Sequence, residues 1–178
     1  VLSGGVSMGD YDFTKAVFRD LGAEMNFWKL AIRPGQPLAF GKIQGKLAFG
    51  LPGNPVSSMV TFEQRVRPAM LKLSGARSYG RPLLEAIFQE KFSKRTDRRH
   101  FLRGVLWRED GVFKVRTTGD QGSGILTSMV KANCLIDIPV EVERLTPGDP
   151  VTVQLLSGSV WLDQAAPAAS AAHRPSCC

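Results

Sequence analysis

Apolar positions recur along this chain with two different periods, and the change from one to the other divides it. Phe13, Val17 and Leu21 are spaced i, i+4, i+8, with Ala16 and Phe18 widening the stripe, which predicts an amphipathic helix over about residues 12–21. Asp10 or Asp12 is a candidate N-cap for it and Gly22 a candidate stop. Met25–Ile32 reads as a strand, closed by the turn Arg33-Pro34-Gly35-Gln36-Pro37. Leu38–Ile43 and Leu47–Leu51 read as a hairpin turning at Gln44-Gly45-Lys46. Asn54 as N-cap and Pro55 at the first helical position start a long helix that runs to about Leu73. Pro68 should kink that helix and Ser74-Gly75 end it.

From Arg81 the period shortens. Leu83–Phe92, His100–Trp107, Val112–Arg116 and Val151–Leu156 alternate as strands do, with turns at Glu109-Asp110-Gly111 and Thr146-Pro147-Gly148-Asp149. One short helix is predicted at Ile125–Lys131. The expected fold class is α/β: half of a layered α/β domain over residues 1–75, a linker at 76–80, and a small β-barrel over 81–160. A tail from 161, Ala/Pro/Ser-rich over Ala165–Cys178, is expected to be disordered. Val1 and Leu2 read as the end of a strand whose start is missing, so the chain is expected to be the C-terminal part of a longer protein.

Composition narrows the classes. The 178 residues are 43% hydrophobic and 22% charged, an ordinary globular mix. No apolar run approaches the roughly 20 residues of a membrane-spanning helix. Cys134 stands alone, Cys177 and Cys178 are adjacent, and His100 and His173 are far apart, so no zinc or disulfide spacing is present. A reduced, cytoplasmic setting is expected. No Ser-His-Asp or Cys-His arrangement suggests covalent catalysis.

The net charge of +7 is local: Lys91, Lys94, Arg95, Arg98, Arg99, Arg103 and Arg108 face only Asp97 within residues 91–108. Such a run is a solvated hairpin, the wall of an anionic-ligand cleft, or a nucleic-acid face. The last would need exposed aromatics among the cations. Phe92, Phe101 and Trp107 alternate with polar neighbours and read as core.

Two loops lead into helices: Ser3-Gly4-Gly5-Val6-Ser7-Met8-Gly9-Asp10 and Leu51-Pro52-Gly53-Asn54-Pro55-Val56-Ser57. Each is either a tight turn needing glycine or a set of free backbone N–H groups at the positive end of a helix. Two such loops, with Lys29 and Arg33 between them, point to an oxyanion or phosphate rim at the ends of the strands. Neither has the spacing of a Walker loop or a dinucleotide fingerprint. Asp10 and Asp12 are carboxylates of the kind that hold Mg2+ beside phosphate oxygens, or else helix caps.

These segments resemble the molybdopterin molybdenumtransferase family, whose animal relative is the E domain of gephyrin. The resemblance rests on residues 3–13, on Trp28-Lys29-Leu30-Ala31-Ile32-Arg33-Pro34-Gly35, on Gly50–Ser57, and on Gln121-Gly122-Ser123-Gly124 with Ser128-Met129, Ala132-Asn133 and Ile138-Pro139. It implies insertion of molybdate into adenylylated molybdopterin with release of AMP, Mg2+ as cofactor, and a homodimer in the full-length protein. It implies Asp12 as a catalytic and metal-binding carboxylate, and Lys29 and Arg33 as catalytic cations. It places Ser3, Gly4, Gly5, Ser7, Pro52, Gly53, Asn54, Pro55, Arg99 and Ser123 against the substrates. The family often reads Lys-Pro-Gly-Lys-Pro where this chain has Arg33-Pro34-Gly35-Gln36-Pro37, so one cation is replaced by Gln36. Because the resemblance covers only the C-terminal part of the family, the chain by itself is expected to have little activity. A non-catalytic molybdopterin-binding module and a basic nucleic-acid-binding fragment are the competing readings; the small-molecule reading expects no nucleic acid and no membrane.

Overall fold

A computed structural model describes residues 1–6 and 14–156. The expected tail, Ser7, Asp10 and Asp12 lie outside the described residues. The first elements are β1 (Leu2–Ser3), α1 (Thr14–Asp20), β2 (Glu24–Lys29), β3 (Ile32–Arg33), β4 (Pro37–Ile43) and β5 (Lys46–Leu51). Four of the strands form a sheet ordered β1-β5-β4-β2, parallel only between β1 and β5. The β4–β5 hairpin turns through Gln44 (φ 49°) and Gly45 (φ 77°), the two left-handed residues that match a turn to the twist of its strands.

The sheet is covered on both faces. Asn54 and Pro55 begin α2 (Pro55–Thr61), which continues through a wide π turn at Phe62–Val66 into α3 (Arg67–Leu73). The π turn lies immediately before Pro68, which lacks an N–H and would crowd the carbonyl of Gln64 in a regular helix. Leu38, Phe49 and Leu51 pack against Val66 of this helix, while the neighbouring Ala39 packs with Val6 and Phe18 of the α1 side. Successive residues of β4 thus face opposite layers, which gives three layers in all.

No helix or strand covers residues 74–82. Then follow β6 (Leu83–Phe88), β7 (Phe92–Ser93), β8 (Arg99–Glu109), β9 (Val112–Thr117), α4 (Thr127–Lys131), β10 (Cys134–Ile138), β11 (Arg144–Leu145) and β12 (Pro150–Leu155). The ring β8-β10-β12-β6-β9-β8 closes into a five-stranded barrel. Phe88, Leu106, Val115, Ile136 and Val153 fill it. Cys134 belongs to the same core, and burial pushes its thiol up to about 12, so it offers no thiolate.

Three strand readings change. Met25–Ile32 is two strands, because the chain leaves the first sheet after Lys29 and β3 pairs in parallel with the start of β8. Leu83–Phe92 breaks at Gln89, and β7 pairs instead with β11. Cys134–Ile138, where no strand is predicted, is the strand that closes the barrel.

The two sheets are fused rather than tethered. Ile32, Val56, Val60, Phe101, Met129 and Leu135 form a core of their own between α2 and the outside of the barrel. Phe101 is buried as expected, but in this junction rather than in the barrel. Arg81 grips Glu63 with two bonds of 2.9 and 3.0 Å beside it.

Candidate oxyanion-binding cleft

The two glycine loops meet where β1 lies beside β5. Gly4 N donates to Leu51 O at 2.9 Å, and a Cβ on Gly53 would stand 3.5 Å from Gly4 Cα. Ser3 Oγ lies 3.4 Å from Ser58 Oγ and donates to Pro52 O at 3.5 Å. Gly5 takes φ +66° with its carbonyl accepting from Thr14 N, so it closes the first loop onto α1. Asn54 works in two directions. Its Oδ1 caps α2 by accepting from Ser57 N at 3.3 Å, and its Nδ2 donates to Ser123 Oγ at 3.4 Å. The rim therefore reaches from the α/β layers onto the barrel.

Beyond that contact the two parts enclose a cleft of about 640 Å³. One wall is the Arg33–Pro37 loop with Ser57; the other is built from Lys94, Arg95, Asp97, Arg98, His100, Arg103 and the loop Asp120–Ser123. Five cations therefore face two carboxylates. Gly35 sits at φ +102° against the buried Thr61, whose hydroxyl donates to the Gly35 carbonyl at 3.5 Å. The loop is pinned again where Leu30 N donates to Gln36 O at 2.8 Å. Across the cleft, Arg98 is held by two acceptors: Nε donates to Asp97 at 2.9 Å and Nη1 to Gln36 Oε1 at 3.1 Å. Gln36 thus serves as a neutral anchor for Arg98.

Lys94 is buried and donates to the carbonyls of Val140 (2.8 Å), Arg98 (3.1 Å) and Arg95 (3.3 Å), so its charge organises the loop beneath the cleft. His100 registers the resulting field. Burial first, then the charges of Lys94 and Arg33, lower its pKa from 6.5 to about 4. The unfolded chain takes up that proton near pH 6.5, whereas the folded chain holds it off until about pH 4. Stability is therefore lost as pH falls through this window. Urea unfolding measured from pH 7 to pH 4 should show that decline, and His100→Gln should flatten it.

The structure gathers Ser3, Gly4, Pro52, Gly53, Asn54, Pro55, Ser123 and Arg33 along one rim and cleft. It places two other expected cations elsewhere. Lys29 lines a smaller cavity of about 380 Å³ that shares Gln36, Asp97 and Arg98 with the main cleft. Arg99 turns outward and is paired with Asp137 through bonds of 2.6 and 2.5 Å, which raise its pKa. Arg98 and Arg103 stand in the cleft instead. Strand alternation sets Arg99 opposite to His100 and Leu102 but on the same parity as Arg103, so parity alone does not say which cations face the ligand. Arg103 did carry a signal, as a lone cation inside the apolar run Phe101–Leu106. Among the described residues no three Asp, Glu, His or Cys side chains gather as metal ligands.

Comparisons with known proteins meet this geometry. Residues 1–72 match the family described as a probable molybdopterin binding domain, and residues 85–156 match the MoeA C-terminal region, domain IV. The fold and cleft define a molybdopterin-binding-type α/β layer joined to a MoeA-type barrel. Residues 1–72 and 85–156 thus belong to these two families, and the chain is similar to molybdopterin molybdenumtransferases. It is 43% identical over 156 residues to the molybdopterin molybdenumtransferase of Haemophilus influenzae, covering 86% of this chain and 38% of that protein. The Bacillus subtilis protein of the same name is 32% identical over 164 residues, again covering 90% and 38%. A molybdopterin biosynthesis MoeA protein from Pyrococcus horikosii superposes with TM-score 0.69 at 33% identity, over 88% of this chain and 37% of its own. The chain therefore spans about two fifths of the length of these relatives.

Proposed function

We propose that this chain takes part in molybdenum cofactor biosynthesis, contributing an oxyanion-binding cleft to the insertion of molybdate into adenylylated molybdopterin, with release of AMP. The observation that carries the reading is the cleft between the two matched regions, where Arg33, Arg98 and Arg103 converge with Ser123 and face few carboxylates. Molybdate and the pterin's phosphates are all oxyanions. Guanidinium groups and backbone N–H donors suit them because charge-assisted bonds are shorter and stronger than neutral ones. Holding two anions together against their repulsion is the main demand of such a transfer, and fixed cations meet it without acid–base groups.

The roles follow from position. Arg33 and Arg98 clamp molybdate from opposite walls, and Ser123 orients it. The rim of Ser3, Gly4, Gly5 and Pro52–Pro55 receives the pterin phosphate. Lys29, in the neighbouring cavity, steers anions toward the Arg98–Gln36 contact. Mg2+, homodimerisation and a cytoplasmic setting are supported by the family resemblance. Of the two carboxylates that line the cleft, Asp97 is held by Arg98 and Asp120 accepts from Gly122 N, so neither fits Mg2+ and Asp12 is the residue that would hold it. Residues 1–75 and 81–160 are proposed as the two domains, joined through 76–80.

Calorimetric titration of the chain with molybdate, molybdopterin and adenylylated molybdopterin tests this. Saturable binding that weakens about tenfold or more in Arg33→Ala is expected, the scale of one charge-assisted hydrogen bond. A chain shown to be folded by circular dichroism that binds none of the three contradicts the reading.

A further inference from the structure

Arg103 is the most deeply buried charged side chain of the cleft, 1% exposed in the middle of β8. Its Nε donates to Ser128 Oγ at 3.0 Å and its Nη2 to the Gly122 carbonyl at 3.2 Å. Both acceptors are neutral. Among the described residues no carboxylate lies within ion-pair distance of it. Asp120 acts on it only through space, because that carboxylate accepts from Gly122 N at 2.8 Å. A desolvated cation without a counter-ion is strongly disfavoured. Of the five donors a guanidinium carries, two are engaged here. No Arg103 nitrogen is both sealed from solvent and without a partner, and the residue lines the cleft.

The same residue fixes the loop that ends at Ser123. Arg103 N donates to Gln121 Oε1 at 2.8 Å, and Gln121 Nε2 returns a bond to Arg103 O at 3.2 Å. Side chain and backbone of one residue therefore hold both Gln121 and Gly122. The next residue, Ser123, accepts from Asn54 at the rim. A line of contacts runs from the buried guanidinium through the loop to the N-cap of α2.

We propose that Arg103 is a positioning residue for the bound anion: it holds the Gln121–Ser123 loop in the arrangement that presents Ser123, and the anion supplies the counter-charge the buried guanidinium lacks. The inference rests on the oxyanion reading of the cleft. Empty, the cleft leaves an uncompensated charge; filled, it completes the pair. Anion binding and thermal stability are coupled at this side chain.

Thermal melts of the full chain against rising molybdate test it, with sulfate and phosphate in parallel. The wild-type Tm should rise with molybdate. Arg103→Met removes the unpaired charge at similar length, so its anion-free Tm should stay within a few degrees of wild type or exceed it. Its molybdate affinity should fall at least tenfold. Arg103→Lys, which keeps the charge but loses the planar fork, should lie between. A residue with only a structural role would lower the anion-free Tm and leave the anion-dependent rise intact, and that result overturns the proposal. Should Arg103→Met fail to fold, Ser128→Ala removes one neutral acceptor and keeps the charge. It should weaken molybdate several-fold, and an unchanged affinity is equally contrary. A wild-type chain stabilised by none of the three anions overturns the cleft reading and this inference together; a wild-type response preserved in the Arg103 and Ser128 variants overturns the inference alone.

Discussion

Gly35→Ala should abolish measurable molybdate binding and lower stability by about 1–3 kcal/mol, the range for forcing an L-residue into a sparsely populated backbone region. Two causes combine. At φ +102° the backbone suits glycine, and a Cβ there would run into Thr61 Oγ1 and stand 3.3 Å from the Ser57 carbonyl. Thr61 is fully buried and Ser57 nearly so, so neither can retreat without moving α2. The strain must be relieved by the Arg33–Pro37 loop, which carries Arg33 and the Gln36 anchor for Arg98. Gly45→Ala is the control. Gly45 also has positive φ, at +77°, but nothing lies within 4 Å of its added Cβ, and its hairpin turn is outside the cleft. It should cost stability alone. Paired melting curves and titrations of the two variants check this.

The second large effect belongs to Leu135→Ala. Leu135 and Ile136 are adjacent on β10, both fully buried, and point to opposite faces. Leu135 packs in the junction with Ile32, Val56, Val60 and Phe101, whereas Ile136 points into the barrel. Each truncation to Ala should cost about 2–5 kcal/mol, the usual range for a buried Leu or Ile. Their effects on binding should differ. The junction sets the distance between Arg33 on one wall and Arg98 on the other, so Leu135→Ala should weaken molybdate as well. Ile136→Ala should leave the affinity near wild type wherever the protein is folded. Urea unfolding gives the first quantity, and titration below the transition gives the second.

How far the sequence announces all this depends on whether the signal is local. Gln44-Gly45 and Asp110-Gly111 turn because two left-handed residues are demanded in a tight hairpin, and Asn54-Pro55 starts a helix with groups it contains itself. Pro68 likewise announces a distortion, although only the structure shows it as a π turn. The split of Met25–Ile32 is not local. Leu30 packs against both the α/β layer and the junction, whereas Ile32 belongs to the junction alone, and periodicity does not report which sheet a strand will join. The closing strand Cys134–Ile138 was missed for the same reason, since a strand buried on both faces shows no alternation. The site follows this rule. The rim from Ser3 to Pro55 was legible in its glycines and caps. Arg99 was read into the substrate contact, yet it pairs outward with Asp137 while Arg98 and Arg103 face the cleft. Arg99 and Arg103 share one face of β8, and what separates them is the group each meets there, Asp137 for the first and the Gly122–Ser128 segment for the second, which is a tertiary matter.

An oxyanion seated between the two walls can be seen directly. Tungstate, an isostere of molybdate with a strong anomalous signal, can be diffused into crystals of the chain and located directly. A tungsten peak is expected in the cleft, within hydrogen-bonding reach of Arg33, Arg98 and Ser123, and it should disappear in Gly35→Ala. A peak confined to exposed cations such as Arg108, with the cleft empty at saturating tungstate, would contradict the oxyanion reading of the cleft.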